Sequence, residues 1–382
     1  LWVSSPTISN LQSPNNCRLN RYGGSSYGAP LVSSCVALMK SVNPGLCPDM
    51  IEQIIKSTHQ GLPANAAAWN SDPANVNRQI TAGVLDAEAA VLAARDYGKY
   101  TITGNVTWNT DRYVSELVIE PGAELTITGG ATIKFSHVAS ALVKRGARLI
   151  VDNATLTNNQ CGGDQWRGIR VWGNANLPQP SNPYGTLNAN EAGVVILRNN
   201  ARIEHARDGV STFHGMGAPG PWGSHWGGLI IAENTTFSMN RRGVEFMKYD
   251  FPNQSTVTNC VFEGDGQTQD NGQVGVTMWD TDGVIFTGCT FRDMTREGIV
   301  GYNASPVVDN NTFESNEKGI QSIATFPFAT NMRVENNFFD DNWFHIESDA
   351  TDKWDGLIVL DNEFFEANTA IWLDGPARFG IE

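Results

Sequence analysis

The sequence predicts a chain in two parts, a helical segment over residues 1–98 and a β-solenoid over residues 99–382. Apolar residues at helical spacing occur before residue 98 and not after it. Beyond Lys99, short alternating strands are separated by Gly turns. A short motif then recurs at intervals in the twenties to forties, which is typical of a fold with one coil per repeat.

The composition excludes several classes of partner. The 382 residues carry 26 Lys+Arg against 40 Asp+Glu, a net charge of -14. This balance argues against nucleic acid and against anionic lipid, since both require a cationic surface. Hydrophobic residues make up 41%, which is enough to build a core, and no apolar run is long enough for membrane insertion. The six cysteines show no metal-binding spacing.

Three helices are predicted in the first part. Residues Tyr27–Lys40 are apolar almost all round, which predicts a helix buried on every side. After the turn at Asn43–Gly45, Pro48 opens a second helix with isoleucines on one face. A third helix is predicted through Asp86–Ala94.

The solenoid is predicted from eight segments that share an Asn-x-x-aromatic theme. Their last apolar position recurs after 47, 34, 25, 29, 22, 26 and 25 residues, and a second apolar residue usually follows seven or eight residues later. Parallel coils of this kind stack about 4.8 Å apart. The eight segments begin at Asn153, Asn200, Asn234, Asn259, Gly288, Asn310, Asn336 and Asp361.

Stacking of the coils predicts columns of equivalent residues. Asn311, Asn337 and Asn362 are expected to form an amide ladder. Cys260 and Cys289 occupy the ladder position in neighbouring coils, where either a disulfide or two stacked buried thiols fits. An internal aromatic column is expected at Phe237, Phe262, Phe291, Phe313, Phe339 and Phe364. Loop insertions are expected at 160–172, 174–190, 213–228 and 264–273.

One motif carries catalytic chemistry, the stretch Gly23–Pro30 directly before the first helix. At such a site the backbone N–H of Ser26 and the helix dipole would both stabilise a developing oxyanion. Gly24 would let a substrate backbone approach closely, and Gly28 would keep the first turn slim.

The stretch resembles the nucleophile motif Gly-Thr-Ser-x-Ala-x-Pro of subtilisin-like (S8 family) serine proteases, with Ser26 at the nucleophile position. The resemblance covers residues 20–98 and implies the C-terminal part of an α/β peptidase domain. It implies that Ser26 is acylated by the scissile carbonyl, while the Asp, the His and the oxyanion Asn precede Leu1. Three later stretches also resemble motifs of the family and occur in the same order: Asn43–Asp49, Ile54–Thr58 and Ala82–Val91.

The departures from the family pattern leave two readings open. Ser25, Tyr27 and Gly28 stand where the family usually has Thr, Met or Phe, and Ala or Ser. His59 follows the second helix, so it does not replace the missing base. Without a general base a Ser hydroxyl is a poor nucleophile. Ser26 is therefore either a working nucleophile completed by the missing N-terminal part of its domain, or the relic of one.

The later half resembles the right-handed parallel β-helix (pectin-lyase-like) domains of large proteins secreted by gram-negative bacteria. Residues Trp166–Asn174 and Asn240–Met247 carry this resemblance. It implies a cell-surface or extracellular location, reached by type IX secretion. We also expect the solenoid to continue beyond Glu382, since open solenoid ends need caps.

Weaker candidate sites lie on the solenoid. Carboxylate groups could act as acid and base on a polysaccharide, or simply form turns. Calcium is the one cofactor considered, at Asp280-Thr281-Asp282-Gly283, which resembles a fragment of a calcium loop. Trp222, His225 and Trp226 could stack on sugars or anchor a loop. The carboxylates are Asp280, Asp282, Asp340, Asp341, Asp349, Asp352 and Asp355.

The sequence thus predicts a secreted serine endopeptidase of the subtilisin type with a β-helix that targets or presents it. Its partners would be a protein or peptide substrate and a surface glycan. The alternatives are a surface adhesin or glycan-binding β-helix with an inert subtilase part, and a β-helix polysaccharide lyase or hydrolase.

Overall fold

A computed structural model describes residues 2–8, 17–23, 25–61, 83–163, 165–213, 219–325, 331–350, 356–374 and 380–381. The chain forms two compact units, Leu1–Tyr97 and Gly98–Glu382. Among the described residues, no helix has the length and apolar character needed to cross a membrane.

The first unit contains an antiparallel hairpin and three helices. Pro48 stands at the start of the second helix, and the Asp86 carboxylate caps the third by accepting from the Ala89 N–H at 2.9 Å. The three predicted helices are confirmed. The elements are β1 (Trp2–Ile8), β2 (Cys17–Gly23), α1 (Ser25–Val42), α2 (Pro48–Thr58) and α3 (Ala87–Asp96).

The expectation that the first helix is buried all round is wrong. Cys35 and Met39 are buried, but the side chains of Leu31, Val32 and Leu38 are 40%, 40% and 55% exposed. The two buried residues lie four positions apart and so share one face of α1. Within the described residues of the first unit, packing covers that face only, and the opposite face of α1 is apolar and exposed.

The second unit is built from three parallel sheets, called sheets A, B and C here. Sheet A contains β4 (Asn105–Trp108), β7 (Glu124–Ile127), β10 (Arg148–Asp152), β13 (Val194–Arg198), β16 (Leu229–Glu233), β19 (Thr256–Thr258), β22 (Asp282–Thr287), β25 (Ser305–Asp309), β28 (Arg333–Glu335), β31 (Ile358–Leu360) and β34 (Gly380–Ile381). Sheet B contains β5 (Arg112–Val114), β8 (Thr132–Phe135), β11 (Thr155–Asn158), β14 (Arg202–Glu204), β17 (Thr236–Ser238), β20 (Val261–Glu263), β23 (Thr290–Arg292), β26 (Thr312–Glu314), β29 (Phe338–Asp340) and β32 (Glu363–Phe364). Sheet C contains β3 (Lys99–Ile102), β6 (Glu116–Ile119), β9 (Ala141–Val143), β12 (Ile169–Val171), β15 (Asp208–Ser211), β18 (Arg242–Phe246), β21 (Val274–Trp279), β24 (Glu297–Tyr302), β27 (Lys318–Ala324), β30 (Phe344–Ala350) and β33 (Thr369–Asp374).

The first residue of the repeated motif forms the corner between sheets A and B. In all eight segments this residue has a left-handed backbone, with φ between 47° and 66°. Asn, Asp and Gly tolerate that conformation far better than other residues do. The repeat therefore begins with these residue types because the chain must turn there.

The predicted aromatic column is confirmed. Its six phenylalanines lie in register through sheet B, with ring centroids 4.6, 4.7, 4.9, 4.8 and 5.2 Å apart in order from Phe237 to Phe364. These separations lie within the usual contact range of aromatic pairs. The column forms one wall of the apolar core that the three sheets enclose.

The amide ladder is also confirmed. Asn311 Nδ2 donates to Asn337 Oδ1 at 3.0 Å, and Asn337 Nδ2 donates to Asn362 Oδ1 at 2.9 Å. Cys289 and Cys260, respectively one and two coils earlier in the same position, are free and buried. Of the two arrangements that the sequence leaves open, the stacked thiols are present and the disulfide is not.

One predicted insertion, 160–172, is wrong in part because it contains strand β12. Ile169 pairs in register with Val210, so it occupies the second apolar column of the coils. It follows Leu156 by thirteen residues instead of seven. Trp166, inside the extra length, is buried and stacks on Phe135 with ring centroids 4.1 Å apart.

Candidate functional site

The structure places Ser26 at the second position of α1, an 18-residue helix that begins two residues after the hairpin ends. The first N–H groups of a helix have no acceptor within the helix, and the dipole adds a partial positive charge there. This backbone arrangement can stabilise an oxyanion. The side chain of Ser26 and the whole of Gly24 lie outside the described part of the structure.

The first turn of α1 borders open space at Gly28. A methyl group built on Gly28 would meet no other atom within 4 Å. Packing among the described residues therefore does not require glycine at position 28. The space beside this turn of α1 is open, as the small residue in the first turn predicts.

The Asn43 motif has a structural role. The Asn43 side chain is buried, and its Nδ2 donates to the carbonyl oxygens of Ala94 and Tyr97 at 3.0 and 3.1 Å. These bonds satisfy carbonyls at the end of α3, which have no partner within the helix. The turn that follows α1 is thereby fastened to the C-terminal end of α3.

His59 lies beside a backbone bridge between Gln60 and Val84, and its Nδ1 is 3.0 Å from the carbonyl oxygen of Gln60. In the described residues no hydrogen bond joins its ring to α1. That His59 is not the general base stays a prediction.

The candidate carboxylates of the solenoid are spread over different turns. Asp280 has a left-handed backbone and accepts from Asn303 Nδ2 at 3.1 Å, and it lines a shallow concavity with Asp282. Asp341 also has a left-handed backbone and accepts from Ser315 Oγ at 3.0 Å. The structure therefore gives Asp280 and Asp341 the role of ordinary turn residues.

The remaining carboxylates do not complete a metal site in the described part of the chain. Asp340 lies in β29, and Asp349 lies in β30 opposite Asp374 of β33. Asp352 and Asp355 fall outside the described residues. No group of three or more His, Cys, Asp or Glu among the described residues is arranged to hold a metal ion. Calcium at Asp280–Gly283 stays a prediction.

Of the three aromatic loop residues, some pack within the loop and one is exposed to solvent. His225 stacks on Trp172 with ring centroids 4.3 Å apart, and burial lowers its pKa. Trp226 packs edge-on against Trp222 at 6.0 Å. The Trp222 side chain is 64% exposed. His225 thus anchors the loop, and Trp222 alone of the three presents a broad apolar surface.

A cluster that the sequence analysis did not assign lies on the outer face of sheet C. Five arginines from three consecutive coils line one concavity of about 530 Å³, called the arginine groove here. The register of β12, β15 and β18 brings them together. The only signal in the sequence is the Arg-rich character of the stretches at 166–174 and 240–247. The five are Arg167, Arg170, Arg207, Arg241 and Arg242.

Comparison with known proteins agrees with this architecture. Residues 4–95 match the model of the subtilase family, and residues 187–376 match that of the right-handed β-helix region. No curated protein sequence matches the chain.

Solved structures with a similar fold are distant. The A-module of the Azotobacter vinelandii mannuronan C-5 epimerase AlgE4 is 14% identical, with 87% of this chain and 99% of that chain covered and a TM-score of 0.38. The Streptococcus pneumoniae surface protein and adhesin PfbA is 13% identical, with 79% and 95% covered and a TM-score of 0.25. The catalytic domain of a GH87 α-1,3-glucanase is 11% identical, with 74% and 64% covered and a TM-score of 0.22. None is similar enough for its function to be transferred.

The three parallel sheets and the family match together define a right-handed parallel β-helix protein. The segment in front of the β-helix, residues 4–95, is the part that matches the model of the subtilase family.

Proposed function

We propose that this chain is the C-terminal part of a secreted serine endopeptidase of the subtilisin type, with Ser26 as its nucleophile. The observation that carries the proposal is the subtilase match over 4–95 together with the position of Ser26 at the start of α1. The β-helix would target or present the peptidase.

The reaction would follow the serine-protease scheme. The Ser26 hydroxyl attacks the scissile carbonyl, and its proton passes to a histidine supplied by the chain before Leu1. The N-terminus of α1 stabilises the tetrahedral oxyanion. The histidine returns the proton to the departing amine, and water then hydrolyses the acyl-enzyme through the same groups.

The open apolar face of α1 supports a missing part of the peptidase domain. Leu31, Val32 and Leu38 are large apolar side chains that the described residues of the first unit leave exposed. Burying such side chains contributes about 1.5–3 kcal/mol each. We propose that the N-terminal part of the domain covers them and brings the histidine and aspartate to Ser26.

Peptide hydrolysis by the full-length protein tests the proposal. Replacing Ser26 with alanine should lower kcat/KM on a denatured protein substrate by about 10³-fold or more, since the triad acts as a unit. The matched control is Ser33→Ala, an exposed serine on the same helix. If the full-length protein is inactive, or if the Ser26→Ala variant is equally active, the proposal is wrong. Either result would favour the alternative, an adhesin with an inert subtilase part.

The location is a separate proposal. The resemblance to secreted gram-negative proteins leads us to propose export by the type IX route to the cell surface or medium. Protease accessibility of the protein on intact cells tests this, and protection on intact cells would contradict it.

A further inference from the structure

The arginine groove concentrates positive charge on an acidic chain. Its lining contains five guanidinium groups and two carboxylates, Asp208 and Glu245, so its formal charge is +5 − 2 = +3. The whole chain has a net charge of -14. Five of its 26 Lys+Arg residues thus meet on one concave surface. Charge of one sign lining a cleft focuses the field on ligands of the opposite sign.

The two acidic residues of the groove both contact arginines, and Asp208 is shared among three of them. Arg242 Nη1 donates to Asp208 Oδ1 at 3.1 Å and to Glu245 Oε1 at 2.5 Å. Arg241 Nη2 is 3.6 Å from Asp208 Oδ1, and Arg207 Nε is 4.0 Å from Asp208 Oδ2. One carboxylate, that of Asp208, therefore serves three guanidinium groups.

Several donors in the groove have no protein acceptor. Within the described residues, no hydrogen bond or ion pair holds the guanidinium groups of Arg167 and Arg170. The buried Nε atoms of Arg241 and Arg242 also lack an acceptor there. Burial, and next the nearby Arg167, lower the pKa of Arg170. A buried donor without an acceptor is costly, so the Nε groups of Arg241 and Arg242 favour a bound anion, and the guanidinium groups of Arg167 and Arg170 are available to it.

The groove also offers aromatic surface. Trp279 and Phe213 line the same concavity. The indole of Trp279 lies flat on Tyr302, with centroids 4.1 Å apart and 6° between the planes, which fixes its orientation. A rigid apolar ring beside charge-assisted donors suits a ligand whose rings bear acidic groups.

The spacing of the arginines favours a repeating ligand. They recur on three successive coils, about 4.8 Å apart along the solenoid. A polyuronate carries a carboxylate on every sugar ring, and a guanidinium fork fits a carboxylate in a bidentate manner. We propose that the arginine groove binds an acidic oligosaccharide, with its uronate carboxylates on the arginines and a sugar ring against Trp279.

Calorimetric titration of the protein with hexagalacturonate tests the proposal. Hexagalacturonate should bind, and neutral maltohexaose should not. Arg207→Gln changes a side chain that is 62% exposed, so the fold is kept, and it should weaken binding by about tenfold. Arg170→Gln should weaken it as much or more. The matched control is Arg333→Gln, 47% exposed on sheet A, which makes the same change in net charge and should leave affinity unchanged.

Three results would overturn the proposal. The first is no binding of hexagalacturonate. The second is equal weakening by the Arg333 control, which would mean a general charge effect. The third is hexaglutamate binding as tightly as the sugar, with Trp279→Leu having no effect on either ligand. That result would identify a site for acidic peptides.

Discussion

Replacing Asn337 with alanine should destabilise the β-helix locally, around the amide ladder. Asn337 is 1% exposed, and its Oδ1 accepts from the Asn311 backbone N–H at 2.8 Å. Its Nδ2 donates to the Val308 carbonyl at 2.9 Å. Each buried group left without a partner costs about 1–3 kcal/mol, so two such groups predict a loss of about 2–6 kcal/mol.

Native-state hydrogen exchange measures this loss where it occurs. The backbone N–H of Asn311 should exchange at least about thirtyfold faster in the Asn337→Ala variant. This factor follows from the lower limit of about 2 kcal/mol, because each 1.4 kcal/mol is a factor of ten. The control is Asn336→Gly, which removes an exposed amide on the same coil at a φ of 55° that glycine adopts freely. Equal exchange of the Asn311 amide in the two variants would refute the reasoning.

Three further predictions concern the core. Phe291→Ala, in the middle of the stacked column, should cost about 3–5 kcal/mol in urea unfolding, and Phe364→Ala, which is only partly buried, should cost less. Cys260 and Cys289 should react with a thiol reagent only after unfolding, with or without reductant; a requirement for reductant would contradict two free thiols. Burial lowers the pKa of His345 below 6.5, so the unfolded chain takes up the proton first. Stability should therefore fall as the pH drops below 6.5, and His345→Gln should remove that part of the slope.

Much of the β-helix can be predicted because its strongest signals are local and repeated. The left-handed corner between sheets A and B favours Asn, Asp or Gly, and the apolar residue three positions later faces the core, so both leave a period in the sequence. Strand β12 could not be predicted in this way, because the buried Trp166 lies in extra chain that changes the spacing of the repeat. The exposure of one face of α1 could not be predicted either, because apolar composition predicts burial but does not reveal which neighbours are present.

The two candidate sites differ in how far the sequence reveals them. Ser26 could be singled out because its motif, Gly23–Pro30, is contiguous in sequence, and its role as nucleophile stays a prediction. The arginine groove cannot, because Arg170, Arg207 and Arg241 come from coils separated by loops of irregular length. Only the register of sheet C brings them together.

The central claim, that Ser26 is the acylated nucleophile, is tested most directly by labelling the full-length protein with a fluorophosphonate and mapping the adduct by peptide mass spectrometry. We expect one adduct, on the peptide that contains Ser26, and no adduct when the protein is unfolded before labelling. Full-length, folded protein that stays unlabelled, or that carries the adduct on a serine elsewhere, would contradict the claim.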